Sequence, residues 1–253
     1  MDTVDALIGI LCKERGEKPQ NCPEKLKDRY FRALVNVRPP APLKPGYEAL
    51  EGEYLAQKLK ERGVVDADSF EYRGGIALWK GDITRLKCDG IVNAANSQLL
   101  GCFYPCHGCI DNAIHTFAGA QLRQECARIM AAQGHEEPVG SAKITGAYNL
   151  PCRYIIHTVG PTVYGQLTDV HRQQLKSCYL SCLNLAAERG LKSLAFCCIS
   201  TGEFRFPNGE AAKIAVDTVR TFLAGQGGEL KVIFNVFKEV DYEIYSRLLA
   251  ERG

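Results

Sequence analysis

The stretch DGIVNAAN, residues 89–96, decides how the rest is read: a run of apolar and small residues without polar alternation that ends in two asparagines. A strand of that kind is buried on both faces, so it belongs inside a sheet covered by helices on each side. Working outward, GIALWKGDI at 75–83, RYIIHTVG at 153–160, SLAFCCIST at 193–201 and KVIFNVF at 231–237 repeat the pattern, each short and rich in β-branched or aromatic residues. Between and after them, residues 110–132, 167–189, 208–224 and 239–250 read as helices. Strand and helix in alternation require crossover connections, which predicts an α/β chain with a central, largely parallel sheet. Ligands of such folds bind at the carboxyl ends of the strands.

Ahead of this unit, residues 1–72 read as a helical extension packed on a main domain of residues 73–253. Leu7, Ile8, Leu11 and Cys12 recur at helical spacing, as do Leu50, Tyr54, Leu55 and Leu59 before a helix stop at Gly63. RPPAPLKPG at 38–46 joins the two as a stiff, extended connector. The segment contains no nucleotide or metal motif.

Composition then bounds the function. The 253 residues are 46% hydrophobic and 24% charged, and 31 Lys+Arg against 29 Asp+Glu leave a net charge of +2. That is ordinary globular composition, with no broad basic field for tracking a nucleic-acid backbone, so any nucleotide chemistry is local. With no run of about 18 apolar residues and no export signal read at the start, the chain is expected to be cytoplasmic and to have no membrane partner. Its 12 cysteines are expected as reduced thiols rather than a disulfide framework. Cys178, Cys182, Cys197 and Cys198 lie in apolar stretches as small buried hydrophobes, whereas Cys102, Cys106 and Cys109 crowd with His107 into a loop bounded by Gly101, Pro105 and Gly108.

Three strand ends carry unusual residues. Asp82, after IALWK, can accept from an exocyclic amine such as that of adenine, or cap a turn. Asn93 and Asn96 offer paired donors and acceptors beside small residues. Beyond them, Cys102-x4-His107-x-Cys109 supplies two thiolates and an imidazole, a set that suits Zn²⁺ and leaves a coordination position open unless Cys106 joins. Asp111 and His115, four apart at a helix start, share one side of it. At the third end, Ser200-Thr201-Gly202-Glu203-Phe204 forms a run of backbone N–H groups suited to a diphosphate, with Phe204 and Phe206 available to stack. Neither GxxxxGK[ST] nor GxGxxG occurs. His157 lies mid-strand and reads as a satisfied core histidine; His135 and His171 lie in polar stretches and receive no role.

In order and spacing, GDIT at 81–84, IVNAANSQLLG at 91–101, CIDNAIHTFAG at 109–119, YIIHTVGP at 154–161 and ISTGEFRFP at 199–207 resemble the macrodomain family of ADP-ribose-binding proteins. Two departures, CFYPCHGC in place of a glycine-rich run and Arg205 in place of a glycine, are similar to the zinc-containing microbial subgroup, which also has a helical N-terminal extension. The resemblance implies an α/β fold of three layers, an α/β/α sandwich with a central mixed, largely parallel sheet. It implies that Asp82 and Ile83 hold adenine, that Ser200, Thr201, Gly202, Glu203 and Phe204 wrap the diphosphate, and that Asn96 contacts the distal ribose. It further implies that Cys102, His107 and Cys109 hold Zn²⁺ beside that ribose. Members of that subgroup are protein-ADP-ribose hydrolases, often encoded beside a sirtuin-type ADP-ribosyltransferase and a lipoylated carrier of the glycine-cleavage H type.

The expected activity is therefore removal of mono-ADP-ribose from a modified, acidic side chain by a hydrolase that needs Zn²⁺. Asn96 would orient the ribose, and Asp111 and Glu203 are the carboxylates available as general base, unranked. The alternative is a non-catalytic ADP-ribose reader. A zinc-dependent nucleic-acid protein is disfavoured by the +2 charge and the lack of paired CxxC knuckles.

Overall fold

The computed structural model describes residues 2–225 and 229–251. Helices α1 (Thr3–Glu14), α2 (Lys27–Val37) and α3 (Tyr47–Arg62) come first, followed by β1 (Val65–Asp66), β2 (Ile76–Lys80), β3 (Leu86–Lys87) and β4 (Gly90–Ala95). After them run α4 (Ile110–Ala118), α5 (Ala120–Gln133), β5 (Ala142–Gly146), β6 (Tyr154–Val159), α6 (Asp169–Glu188), β7 (Ser193–Phe196), α7 (Asn208–Gly225), β8 (Lys231–Val236) and α8 (Glu239–Ala250). β1 and β3 pair with each other, and the other six strands form one sheet in the order β2-β8-β7-β4-β6-β5. Every pairing in it is parallel except β5 with β6, which is antiparallel. The largely parallel sheet read from the apolar runs is observed, and the antiparallel β5–β6 pair makes it mixed, as the resemblance implies.

β4 sits at the point where the chain order reverses. It pairs with β6 from Gly90↔Tyr154 through Ala95↔Val159, but with β7 only at Gly90↔Leu194 and Ile91↔Ala195. The carboxyl halves of β4 and β7 therefore part company, which is the place where folds of this kind receive a ligand. Ile91, Val92, Ile155, Ile156, Leu194 and Ile233 are buried within the sheet's covering helices. Each fully buried side chain of this size contributes roughly 1.5–3 kcal/mol, so these short strands need no help from polar alternation.

Three elements differ from the sequence reading. β5 was not among the expected strands, because AKITG is an edge strand, half-exposed along most of its length. The helix expected over 110–132 is two helices broken at Gly119, whose φ of 95° and ψ of 174° leave the helical region. A Cβ there would lie 2.8 Å from both Glu51 Oε2 and Asn149 Nδ2, so only glycine fits. The run SLAFCCIST is a strand only to Phe196; its remainder turns into a loop, and Cys198 is half-buried where full burial was expected. His171, given no role, builds a capping box: Thr168 Oγ1 accepts from its N–H and its Nδ1 accepts from the Thr168 N–H.

Residues 2–62 have a second, smaller core of Val4, Leu7, Ile8, Leu11, Phe31, Leu34, Tyr47 and Tyr54 among others, joined to the main one where Phe117 packs against both. Polar groups also cross between them. Glu51 is buried, and its Oε2 accepts from the Ala120 N–H at the start of α5 at 2.8 Å while Oε1 accepts from Tyr47 Oη at 3.0 Å. Burial pushes the Glu51 carboxyl up from its ordinary range. Arg38 anchors the proline connector, donating to the carbonyls of Pro39, Ala41 and Pro42 and pairing with Glu14. Residues 65–72, placed with the extension by sequence, pack on the main core through Val65, Ala67, Phe70 and Tyr72.

Candidate active site

Because β2, β8, β7 and β4 run parallel, their carboxyl ends lie along one edge of the sheet in that order. Asp82 follows β2, Phe237 follows β8, residues 197–207 follow β7, and Asn96 with the cysteine loop follows β4. At about 4.8 Å between neighbouring strands, three intervals span roughly 14 Å.

At the β4 end, Asn93 and His157 are partners in the β4–β6 register and so present their side chains to the same face. Asn93 Nδ2 donates to Asp111 Oδ1 at 2.8 Å and to His157 Nδ1 at 3.1 Å. That leaves His157 Nε2 to donate to Thr145 Oγ1 at 3.0 Å, which fixes the neutral tautomer of a ring whose pKa burial depresses to about 3. His157 is the core histidine read from the sequence. Asn96 Nδ2 donates to the Gly101 carbonyl at 3.1 Å and faces Asp111 Oδ2 at 3.5 Å. Asp111 is buried, and desolvation raises its carboxyl to about 6 against the lowering effect of the Asn93 bond and the Arg123 charge. His115 Nε2 lies 3.6 Å from Asp111 Oδ1, with the ring packed on Gly101, where a Cβ would come within 2.7 Å of its Cγ. Burial first, then His157 and Arg123, hold the His115 ring neutral.

The cysteine loop closes over this polar cluster. The ligand atoms of Cys102, His107 and Cys109 all lie within 4.8 Å of one another, with Cys102 Sγ 3.5 Å from His107 Nδ1. Cys109 is the N-cap of α4 and accepts from the Asn112 N–H through its sulfur. Burial, then the nearby Cys102 and Asp111, push its thiol up to about 12. Cys106 turns away, with φ of 54° and its Sγ donating to the Arg29 carbonyl, so it does not join the trio. His107 Nε2, on the other side of the ring, faces Glu203 Oε1 at 3.6 Å, which brings the loop after β7 against the loop after β4.

The loop after β7 is tightly turned. Ser200 and Arg205 adopt φ of 65° and 57°, the region glycine occupies without cost, and the Phe206 N–H bonds back to the Ser200 carbonyl. Arg205, where the resemblance leads one to expect glycine, thus keeps the glycine-like backbone. A Cβ on Gly160 would meet Ser200 Oγ at 2.1 Å, so the end of β6 and this loop are in close contact. The N–H groups of Gly202, Glu203 and Phe204 bond to no acceptor among the described residues. At the β2 end, Asp82 caps the turn 83–85: Oδ1 accepts from the Thr84 N–H and hydroxyl, and Oδ2 from Arg62 Nη1 at 3.1 Å. Ile83 is buried in the core, which leaves its main chain as the part able to reach a ligand.

Residues 92–215 match the Macro domain family model. A protein-ADP-ribose hydrolase of Treponema medium is 52% identical over 225 residues, covering 87% of this chain and 86% of the relative. One of Staphylococcus aureus (strain MRSA252) is 48% identical over 248 residues, 96% of this chain and 93% of the relative. The chain belongs to the macrodomain family. Among solved structures, the Trypanosoma brucei macrodomain in complex with ADP-ribose superposes with a TM-score of 0.67 at 32% identity, over 87% of this chain and 95% of that one.

This macrodomain brings Asn96, Cys102, His107, Cys109, Asp111 and Glu203 into one cluster, and sets Asp82 and Ile83 three strands away at the far end of the same edge. The trio fits a tetrahedral cation, because ligands at about 2.3 Å (S) and 2.0–2.1 Å (N) stand roughly 3.5 Å apart, the Cys102–His107 separation found here. A cation would also relieve the crowding that keeps the Cys109 thiol protonated. Sequence reasoning passed over Phe237. It is 77% exposed immediately beyond β8, next to the strand that Gly81-Asp82 follows, and such an exposed ring is a stacking surface. An aromatic at the tail of an apolar strand reads as core, and only its exposure marks it.

Proposed function

We propose that this macrodomain is a zinc-dependent protein-ADP-ribose hydrolase that removes mono-ADP-ribose from modified acidic side chains. The observation that carries it is the order of groups along the carboxyl edge: an adenine acceptor and an exposed ring, then a turn of free N–H groups, then the Asn96 and Cys/His cluster. That order matches an adenine, a diphosphate and a distal ribose laid across four strands. The hydrolase relatives in Treponema medium and Staphylococcus aureus, aligned over most of this chain, support the reading.

Cys102, His107 and Cys109 would hold Zn²⁺, which as a Lewis acid lowers the barrier to breaking the bond at the distal C1″. Asn96 orients the ribose; its amide is itself set by the Gly101 carbonyl and by Asp111. Asp111 is enclosed and already bonded to Asn93, so its work is to hold Asn96 and Asn93 in place. Glu203 stands open at the crevice against His107, and is the carboxylate placed to take a proton from an attacking water. In this reading the helical extension ends with α3 and the catalytic unit begins at residue 65, the protein is of the sirtuin-linked subgroup, it works in the cytoplasm, and its target is a lipoylated carrier of the glycine-cleavage H type modified by a sirtuin-type transferase.

The test is release of ADP-ribose from a protein modified on acidic residues, with wild type, Cys109→Ala and a chelator-treated sample, and zinc content read in parallel. Release that disappears with the metal is expected. A folded, zinc-loaded protein that binds ADP-ribose tightly and releases none overturns the acidic-linkage reading, and no release from serine- or arginine-linked substrates either would make it a reader.

A further inference from the structure

We infer that α2 of the N-terminal extension is the support that holds the metal loop in its binding shape, with Arg32 and Asn36 as the positioning residues. The inference rests on reading residues 102–109 as the metal loop. That loop lies between β4 and α4 without regular structure of its own, and it carries a non-glycine left-handed residue at Cys106. Its backbone polar groups must be satisfied from outside, and most of the partners found trace back to α2.

The central contact is a fork. Arg32 Nε and Nη2 donate to Asn112 Oδ1 at 3.2 and 2.8 Å, and Nη2 also donates to the His107 carbonyl at 3.0 Å. An amide has two different ends, and the guanidinium dictates that the oxygen of Asn112 faces α2. The nitrogen is thereby aimed at the loop, where it donates to the Tyr104 carbonyl at 3.0 Å and the Cys102 carbonyl at 3.4 Å. Through one side chain, Arg32 so reaches the main chain at Cys102 and Tyr104, and directly it holds His107. Asn36, one helical turn further on and buried, accepts from the Cys106 N–H at 2.8 Å and donates to Thr116 Oγ1 at 2.9 Å, tying the loop to α4. The Arg29 carbonyl accepts from Cys106 Sγ at 3.3 Å, which keeps that thiol out of the trio. Groups at i, i+3 and i+7 of α2 thus form one stripe facing the loop. No residue of α2 is itself a ligand; the helix acts on the ligands through Asn112 and the loop main chain.

Outer contacts of this kind alter metal affinity by about 10–100-fold when removed. The experiment uses the full chain and measures Zn²⁺ affinity by chelator competition, together with the visible spectrum of the Co²⁺-substituted protein. Binding of ADP, which lacks the distal ribose, reports whether the rest of the crevice is intact. Arg32→Gln is expected to weaken Zn²⁺ binding by about 10–100-fold, to alter the Co²⁺ bands and to leave ADP affinity within about twofold. Arg32→Lys should recover part of the loss, and Arg32→Gln should cost less in an Asn112→Ala background than alone, since part of its action runs through Asn112 and part directly through the His107 carbonyl. Wild-type Zn²⁺ affinity with an unchanged Co²⁺ spectrum in Arg32→Gln overturns the inference. If Arg32→Gln loses ADP binding as well, Asn36→Ala carries the same criterion, since it removes the acceptor for the Cys106 N–H and leaves Arg32 in place. A wild-type chain that takes up no Zn²⁺ through Cys102 and Cys109 overturns the metal reading, and the inference with it.

Discussion

Two groups of cysteine and histidine lie a short distance apart in this molecule and behave in opposite ways. Cys102, His107 and Cys109 are half-buried at the crevice; His115, Cys126 and His157 are fully buried beneath it, and in each group the donor atoms fall within 4.8 Å of one another. By residue type and spacing alone both could hold a cation. The difference lies in enclosure and in how far each group is already committed: the inner group is fully buried, and although neither nitrogen of its His115 has a hydrogen-bond partner, its other histidine is spoken for. His157 has both nitrogens engaged, one by Asn93 and one by Thr145, while His107 keeps Nδ1 beside a thiol and has a carboxylate behind Nε2. A histidine whose hydrogen bonds are complete, such as His157, is a structural member, whereas His107, with Nδ1 facing a half-buried thiol, is the one proposed as a ligand.

The largest expected effect breaks the outer group. Cys109→Ala should abolish stoichiometric zinc and with it the release of ADP-ribose, whereas Cys126→Ala should leave zinc content and turnover unchanged. Metal loss in the Cys126→Ala protein would put the inner group back in contention.

Next in size is the acid response of the inner group. His157 is held neutral with its pKa lowered to about 3, so its contribution to stability is complete above the ordinary value of about 6.5 and is lost as pH falls from there toward 3. Each pH unit in that window removes about 1.4 kcal/mol. Denaturant unfolding of wild type and His157→Gln should show the gap between them closing by about 3 kcal/mol from pH 7 to pH 4. A constant gap would mean that protonation of this ring does not drive the acid limb.

Glu203→Gln separates proton transfer from positioning, since the amide oxygen can still face His107 Nε2 but takes no proton. Turnover should fall by about 10²–10⁴-fold while zinc affinity changes little; a variant that keeps its turnover assigns Glu203 to orienting the ring. The smallest effect is stability of the Cys126→Ala protein, where a buried sulfur is replaced by a small void at about 1 kcal/mol, read from its denaturation midpoint.

The contrast also marks how far the sequence could be read. The outer trio is legible because its members fall within eight consecutive residues among glycine and proline, and β4, β6 and β8 because their short apolar runs lack regular polar alternation. The inner trio joins residues of α4, α5 and β6, and only the fold shows them together. Arg32 and Asn112 are 80 positions apart, and no local pattern announces that an exposed-looking arginine on a polar helix reaches across to the cysteine loop. β5 escaped because an edge strand carries a weaker apolar signal, and the break at Gly119 because the group that accepts from the Ala120 N–H is Glu51 of α3, nearly 70 residues earlier. Local physics was sufficient wherever burial was continuous along the chain, and insufficient wherever one polar group answers another across the fold.

The bonds between the extension and the loop carry a consequence in time. Asn36 meets Thr116, Arg32 meets Asn112 and Val35 meets Arg123 across 80 to 88 positions of chain. At about 5–20 residues per second of synthesis, α2 exists for on the order of ten seconds before its partners are made. During that interval the stripe of Arg29, Arg32 and Asn36 faces water, and the first helices wait as an unfinished half for the second to arrive.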